Sequence, residues 1–251
     1  MKTSRNFLKT SFACLLVTAW TGVALGDTIV FDWNDSANGT MGWGPNEYTP
    51  SGRYGANTSW GSTAGPDGSG ALITTGTMNL TRKWLGSSEY QKPSGPLNVY
   101  WASALTFDVR LDPQSGLDSA GGLGAIRLFT QYATTPSRTD NNGYSQVWVF
   151  GDGSVNTGYA GGFTPGTWVH ASIPASLLGG LGSTTDYWDA LNLICIGADE
   201  TYVGGRSFNT DTTVILDIDN IGFTIVPEPS SMLLGVLGFG LVSIYRKLRR
   251  S

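Results

Sequence analysis

The stretch VYWASALTFDVRL (99–111) constrains the fold more than any other part of this chain. Val99, Trp101, Leu105, Phe107, Val109 and Leu111 recur at every second position, interrupted only by the small Ser103. Thr106, Asp108 and Arg110 take the alternate positions. Successive side chains of a strand point to opposite faces, so this period of two describes a strand with one face buried.

The same reading extends along the chain. TIVFDW (28–33), ALITT (71–75), AIRLFTQYA (125–133), SQVWVF (145–150), TWVHASIP (167–174), LNLICIGA (191–198) and TVILDIDNIGFTI (213–225) are further strand candidates. Turn signals separate them: GSTAGPDGSG (61–70) is half Gly and Pro, residues 34–70 read as loop-rich, and GDG (151–153) is a tight-turn signal. PASLLGG and TTDYWDAL each suit one helical turn, with Asp186 as a cap for the second. The 35 glycines in 251 residues are about twice the usual share of ~7%, and Lys and Glu are scarce, so long helices are not expected. Eight or so strands joined by turns predict an all-β, two-sheet antiparallel sandwich.

Both ends are set aside from that fold. Residues 1–26 combine a basic start (Lys2, Arg5, Lys9), an apolar stretch too short to span a bilayer, and small residues Ala24 and Gly26 before Asp27. These are the three zones of a secretory signal peptide, which implies passage through the Sec translocon. Residues 226–251, VPEPSSMLLGVLGFGLVSIYRKLRRS, hold an extended proline linker and an uncharged run of marginal spanning length. They end in a basic group, Arg246, Lys247, Arg249 and Arg250. The expected topology is a transmembrane helix over about 231–245 with its basic end (246–251) in the cytoplasm.

The intervening 199 residues, 27–225, form the expected single domain. They carry 8 Lys and Arg against 18 Asp and Glu, a net charge of −10. Such a surface repels phosphates, so nucleic acid is not an expected partner. Cys14 leaves with the signal segment and Cys195 remains alone, which excludes an internal disulfide. Packing must therefore hold the body together.

Catalytic signals are sparse. The one histidine, His170, alternates with Trp168 and Ser172 on a strand and reads as a packed or surface residue. Cys195 between Ile194 and Ile196 reads as a buried, inert thiol. No nucleophile elbow, HExxH or phosphate loop is present, and no pair of carboxylates stands out for glycoside hydrolysis. Trp43, Tyr48, Tyr54 and Trp60 crowd one glycine-rich region among Asn46, Arg53, Asn57 and Ser59. They suit platforms for sugar rings, and equally suit the edge and core of the sandwich. Both readings stand on sequence. Trp101, Trp148 and Trp168 are assigned to the core or to sheet faces.

The order of features resembles jelly-roll modules of the carbohydrate-binding or galactose-binding-like kind. The residues concerned are Phe31-Asp32 with Gly42-Trp43 near the start, Thr167-Trp168 to Ser172-Ile173-Pro174 late, and Asp219-Asn220-Ile221 at the close. That resemblance implies a structural Ca²⁺ tying the first strand to the last, at Asp32 and Asp219 with Asp217 on the same strand face; no other cofactor is required. The tail resembles the PEP-CTERM sorting signal of Gram-negative bacteria: Pro227-Glu228-Pro229, a short apolar helix and a terminal basic cluster, in order. It implies recognition by an exosortase, cleavage near those prolines, and delivery to the cell surface or exopolysaccharide matrix. A single permanent anchor would keep the same topology. The expectation is a non-catalytic exported protein that binds polysaccharide; a polysaccharide hydrolase or lyase and a purely structural matrix protein are the alternatives.

Overall fold

The structure is a computed structural model and describes residues 26–33, 40–41, 43–45, 57–80, 84–90, 102–132, 143–157, 161–178, 191–200 and 204–225. Asp27–Thr224 form one compact unit. The expected signal segment, the tail helix with its PEP and basic residues, Tyr48, Tyr54, Trp101 and the turn over 184–191 lie outside the described residues, apart from Gly26 and Leu191.

Eleven strands are described: β1 (Gly26–Phe31), β2 (Gly44–Pro45), β3 (Asn57–Gly61), β4 (Ala71–Met78), β5 (Trp84–Tyr90), β6 (Ala102–Leu111), β7 (Ala125–Tyr132), β8 (Gly143–Val149), β9 (Trp168–Pro174), β10 (Leu191–Asp199) and β11 (Thr212–Ile225). A 3-10 turn at Ala175–Leu177 answers the helical turn expected after Pro174. Among the described residues no helix is long and apolar enough to cross a membrane.

The strands form two sheets. The six-stranded sheet runs β3-β4-β11-β6-β9, with β1 also paired to β11; the five-stranded sheet runs β2-β5-β10-β7-β8. Strands β4, β5, β6 and β7 alternate between the sheets, as do β8 to β11, which is jelly-roll winding. Every pairing with a stated register is antiparallel.

Inward positions follow the sequence period. Leu105, Phe107, Val109 and Leu111 of β6 meet Val169, Ala171 and Ile173 of β9 and Val214, Leu216 and Ile218 of β11 in the core; Leu85, Ile126, Leu128, Val147, Val149, Ile194 and Ile196 come from the other sheet. Asn220 of β11 has φ +51°, a left-handed residue within a strand, as at a bulge. Beyond it Ile221 and Phe223 are buried.

Two strands correct the loop-rich reading of 34–70, because β2 and β3 fall inside it, and β5 was not foreseen. NTSWG and WLGSSEY carry too few bulky apolar residues to print a period, so pairing with β4 and β10 makes them strands. The turn at 151–153 is as expected and has a second use. Gly153 has φ +80°, and a Cβ there would lie 2.9 Å from the His170 carbonyl oxygen of β9. The turn after β8 thus lies against β9, and only glycine suits it.

Candidate functional site: the outer face of the five-stranded sheet

Pairing, rather than sequence proximity, assembles this site. In the β7–β10 register Asp199 faces Ala125, Gly197 faces Arg127 and Cys195 faces Phe129. In the β7–β8 register Arg127 faces Trp148 and Phe129 faces Gln146. Because Ile126, Leu128, Val147 and Val149 point inward, Arg127, Phe129, Gln146 and Trp148 are turned to the outer face.

A buried carboxylate organises them. Asp199 has a fully buried side chain, and its Oδ2 lies 3.0 Å from Arg127 Nε. That contact is an ion pair without hydrogen-bond alignment, since Nε has no hydrogen-bond partner. The same oxygen accepts a hydrogen bond from Trp148 Nε1 at 3.3 Å. The Arg127 guanidinium stacks on Trp84, 3.7 Å from the ring centroid, and its Nη1 donates to Gln146 Oε1 at 3.4 Å. Burial lowers the Arg127 pKa, while Asp199 and then Cys195 pull it back up. Trp84 is buried, whereas Phe129, Gln146 and Trp148 stay half-buried. The result is a fixed surface of two partly exposed aromatic rings beside a charge-balanced guanidinium and an amide.

At one end of the sandwich two more carboxyls meet. Asp118 Oδ2 accepts from Arg206 Nε at 2.6 Å, and its Oδ1 from Arg206 Nη2 at 3.1 Å and from the Ala120 and Gly122 amides. Glu200 Oε1 accepts from the Gly124 amide at 2.7 Å, while its buried Oε2 has no partner. Burial, with the Asp118 charge adding to it, pushes Glu200 up to about 7. Arg206 closes this pair from one side.

Of the described residues singled out from sequence, Trp43 and Trp60 both contact Trp33, and Asp32 acts on the charge of Asp219. Trp43 is 2% exposed and packs edge-on against Phe31 (5.4 Å) and Trp33 (5.8 Å), in the core position that the packing reading assigned to it. Trp60 is half-buried and donates its Nε1–H to the Trp33 carbonyl at 2.8 Å. Gly70 closes the same corner: a Cβ there would sit 1.9 Å from that carbonyl oxygen. Asp217, of the calcium set, has its Oδ2 accepting from Arg110 Nε at 2.8 Å and 2.7 Å from Nη2, while its buried Oδ1 has no hydrogen-bond partner. Burial still pushes Asp217 up to about 6.

Asp219 has one oxygen on the Asn220 amide and a buried Oδ2 with no partner. Burial, then the Asp32 and Asp108 charges, push Asp219 up to about 6 against the Asn220 and Trp33 backbone N–H groups. Among the described residues no group of three or more His, Cys, Asp or Glu is disposed to hold a metal. His170 is a surface residue, with Nδ1 2.8 Å from Asp108 Oδ1. Cys195 is a buried thiol in no disulfide.

No family model matches the chain, and no curated protein matches it. Solved structures do. One is a carbohydrate-binding module, CBM28, described as specific for non-crystalline cellulose; it is 16% identical over 79% of this chain and 94% of its own, with a TM-score of 0.47. CtCBM11 is 16% identical over 82% of this chain and 99% of its own, TM-score 0.44. TmCBM27, described for specific mannan recognition, is 13% identical over 80% and 96%, TM-score 0.40.

Proposed function

We propose that this protein is an exported, non-catalytic surface or matrix component whose five-stranded sheet binds polysaccharide. The observation that carries the reading is the outer face itself: Phe129 and Trp148 half-exposed beside Arg127 and Gln146, on strands whose positions are fixed by pairing. Aromatic rings offer the apolar face of a sugar a flat partner, and a few placed polar groups set orientation. Arg127 already has its counter-charge in Asp199, so the face presents hydrogen-bond donors without an unpaired cation. The signal segment, the Pro227-Glu228-Pro229 tail and its basic end support delivery by an exosortase, with the tail holding the protein at the inner membrane before release. Calcium, in this reading, draws on Asp32 and the buried, unbonded oxygens of Asp217 and Asp219. Chelator should then lower the melting temperature, and an unchanged one sinks the calcium idea.

Affinity electrophoresis of the full chain in gels containing amorphous cellulose derivative, β-mannan, agarose or alginate tests the function. Retardation by at least one glycan, abolished in Trp148→Ala, is the expected result; retardation unchanged by that substitution rejects this face. A reducing-end assay on the same glycans should show no turnover. Mass spectrometry of surface material should find the C-terminus cut near Pro227-Glu228-Pro229. An intact Ser251 there argues against processing.

A further inference from the structure

Trp148 lies on β8, which among the described residues is an edge strand with no neighbouring strand on one side. An unpaired edge leaves the peptide groups on either side of a residue free to twist, and its side chain with them. Here the gap is filled. The Asn156 side-chain Oδ1 accepts the Trp148 amide N–H at 2.9 Å, and the Asn156 amide donates to the Trp148 carbonyl, also at 2.9 Å. One residue therefore closes both backbone groups of Trp148, as a partner strand would.

The geometry that permits this is specific. Asn156 has φ +54°, a conformation asparagine tolerates far better than most residues. The turn before it holds Asn156 in reach: Phe150 N–H donates to the Ser154 carbonyl at 3.0 Å, Gly153 N–H to the Phe150 carbonyl at 2.8 Å, and Val149 bridges Val155. Ser154 and Thr157 hydroxyls bond each other at 3.0 Å. The indole at the far end of the same residue is held by Asp199. Trp148 is thus fixed at both its backbone and its ring.

We infer that Asn156 is a positioning residue for the ligand-binding face, standing in for the missing neighbour of β8 so that the Trp148 ring keeps one orientation. The inference rests on the polysaccharide-binding reading for its purpose, though not for its geometry. Asn156 itself touches no ligand in this account.

Three substitutions separate the contributions. Asn156→Ala removes the acceptor and disfavours the left-handed backbone; Asn156→Gly keeps that backbone and removes only the acceptor; Asn156→Asp keeps an acceptor oxygen. Two readouts are taken on the full chain: the indole N–H resonance of Trp148, identified by its disappearance in Trp148→Phe, and retardation in gels of amorphous cellulose derivative and of β-mannan. Loss of one hydrogen bond at a positioned group corresponds to about five- to tenfold weaker retention. The Ala and Gly variants should shift and broaden the indole signal and lose about that much retention, and Asp should restore both.

An indole signal unchanged in the Ala and Gly variants overturns the positioning role, whatever happens to binding. A perturbed indole with unchanged retention overturns it as well, because orientation would then not matter to the site. If the wild type is retarded by neither gel, the polysaccharide reading is what fails for these glycans, and the resonance alone decides the geometry.

Discussion

Each sheet carries on its outer side the same three chemical groups: a buried aspartate, an arginine paired to it, and a tryptophan under the guanidinium. On the six-stranded sheet these are Asp217, Arg110 and Trp168, with the guanidinium 5.0 Å from the ring centroid. On the five-stranded sheet they are Asp199, Arg127 and Trp84, at 3.7 Å. What differs is the surroundings. Arg110 Nη2 also donates to the Ala64 carbonyl at 3.1 Å, so the β3–β4 loop bears on that pair. Arg127 reaches sideways to Gln146 and shares its carboxylate with the half-exposed Trp148. A buried ion pair needs extra hydrogen bonds to offset its desolvation. The two pairs are almost equally buried, with side-chain exposures of 18% for Arg110 and 20% for Arg127 and none for either aspartate, so the difference lies in the partners: a loop carbonyl for one and neighbouring side chains for the other.

The largest expected effect breaks the pair that the β3–β4 loop bears on. Arg110→Ala leaves Asp217 buried without its counter-ion and should cost about 3–5 kcal/mol of stability, read by denaturant unfolding, while glycan retention per folded molecule stays unchanged. Next, Trp148→Ala should weaken glycan retention about tenfold or more, and cost less stability than the first because the side chain is only partly buried. A reversed outcome, in which the first substitution spares the fold and the second unfolds it, would collapse the distinction between the two faces.

A smaller effect comes from pH. Glu200 is raised to about 7 and Asp217 and Asp219 to about 6 in the folded protein. A carboxyl whose folded-state pKa exceeds its unfolded value binds its proton more tightly when folded. Its contribution is therefore present at low pH and is lost as pH rises through the folded value. Unfolding free energy should fall as pH rises from about 4 to about 7, and Glu200→Gln should flatten the upper part of that slope. The smallest is Gly153→Ala, where the left-handed backbone and the nearby His170 carbonyl should cost about 1 kcal/mol, read as a lower melting temperature.

Strand positions were legible where apolar residues alternate, as in 99–111, and the all-β sandwich followed from them. The candidate site was only half legible. Arg127 and Phe129 stand at outward positions of β7, and Gln146 and Trp148 at outward positions of β8, and that much is visible in AIRLFTQYA and SQVWVF. Aromatic and planar polar residues on the polar side of two strands were the available signal. Their juxtaposition was not visible, because the register between β7 and β8 is set by pairing across residues 133–142, whose length hides it. The crowding of Trp43 and Trp60 with two tyrosines was the louder signal, and it led instead to a core cluster and a corner closed by Trp33 and Gly70.

The position of β11 carries a consequence for how the chain acquires its fold. Residues 212–225 lie between β4 and β6 and also take β1 as a partner. The middle of the six-stranded sheet is therefore filled by the last of the eleven strands to be synthesised, and the first strand waits for it. Until Ile225 has emerged, β4 and β6 face each other across an empty lane with unpaired edges. Pairings this distant in sequence are slow to form and expose sticky intermediates. The β3–β4 and β6–β9 pairs can form earlier, but the six-stranded sheet is joined only when β11 arrives.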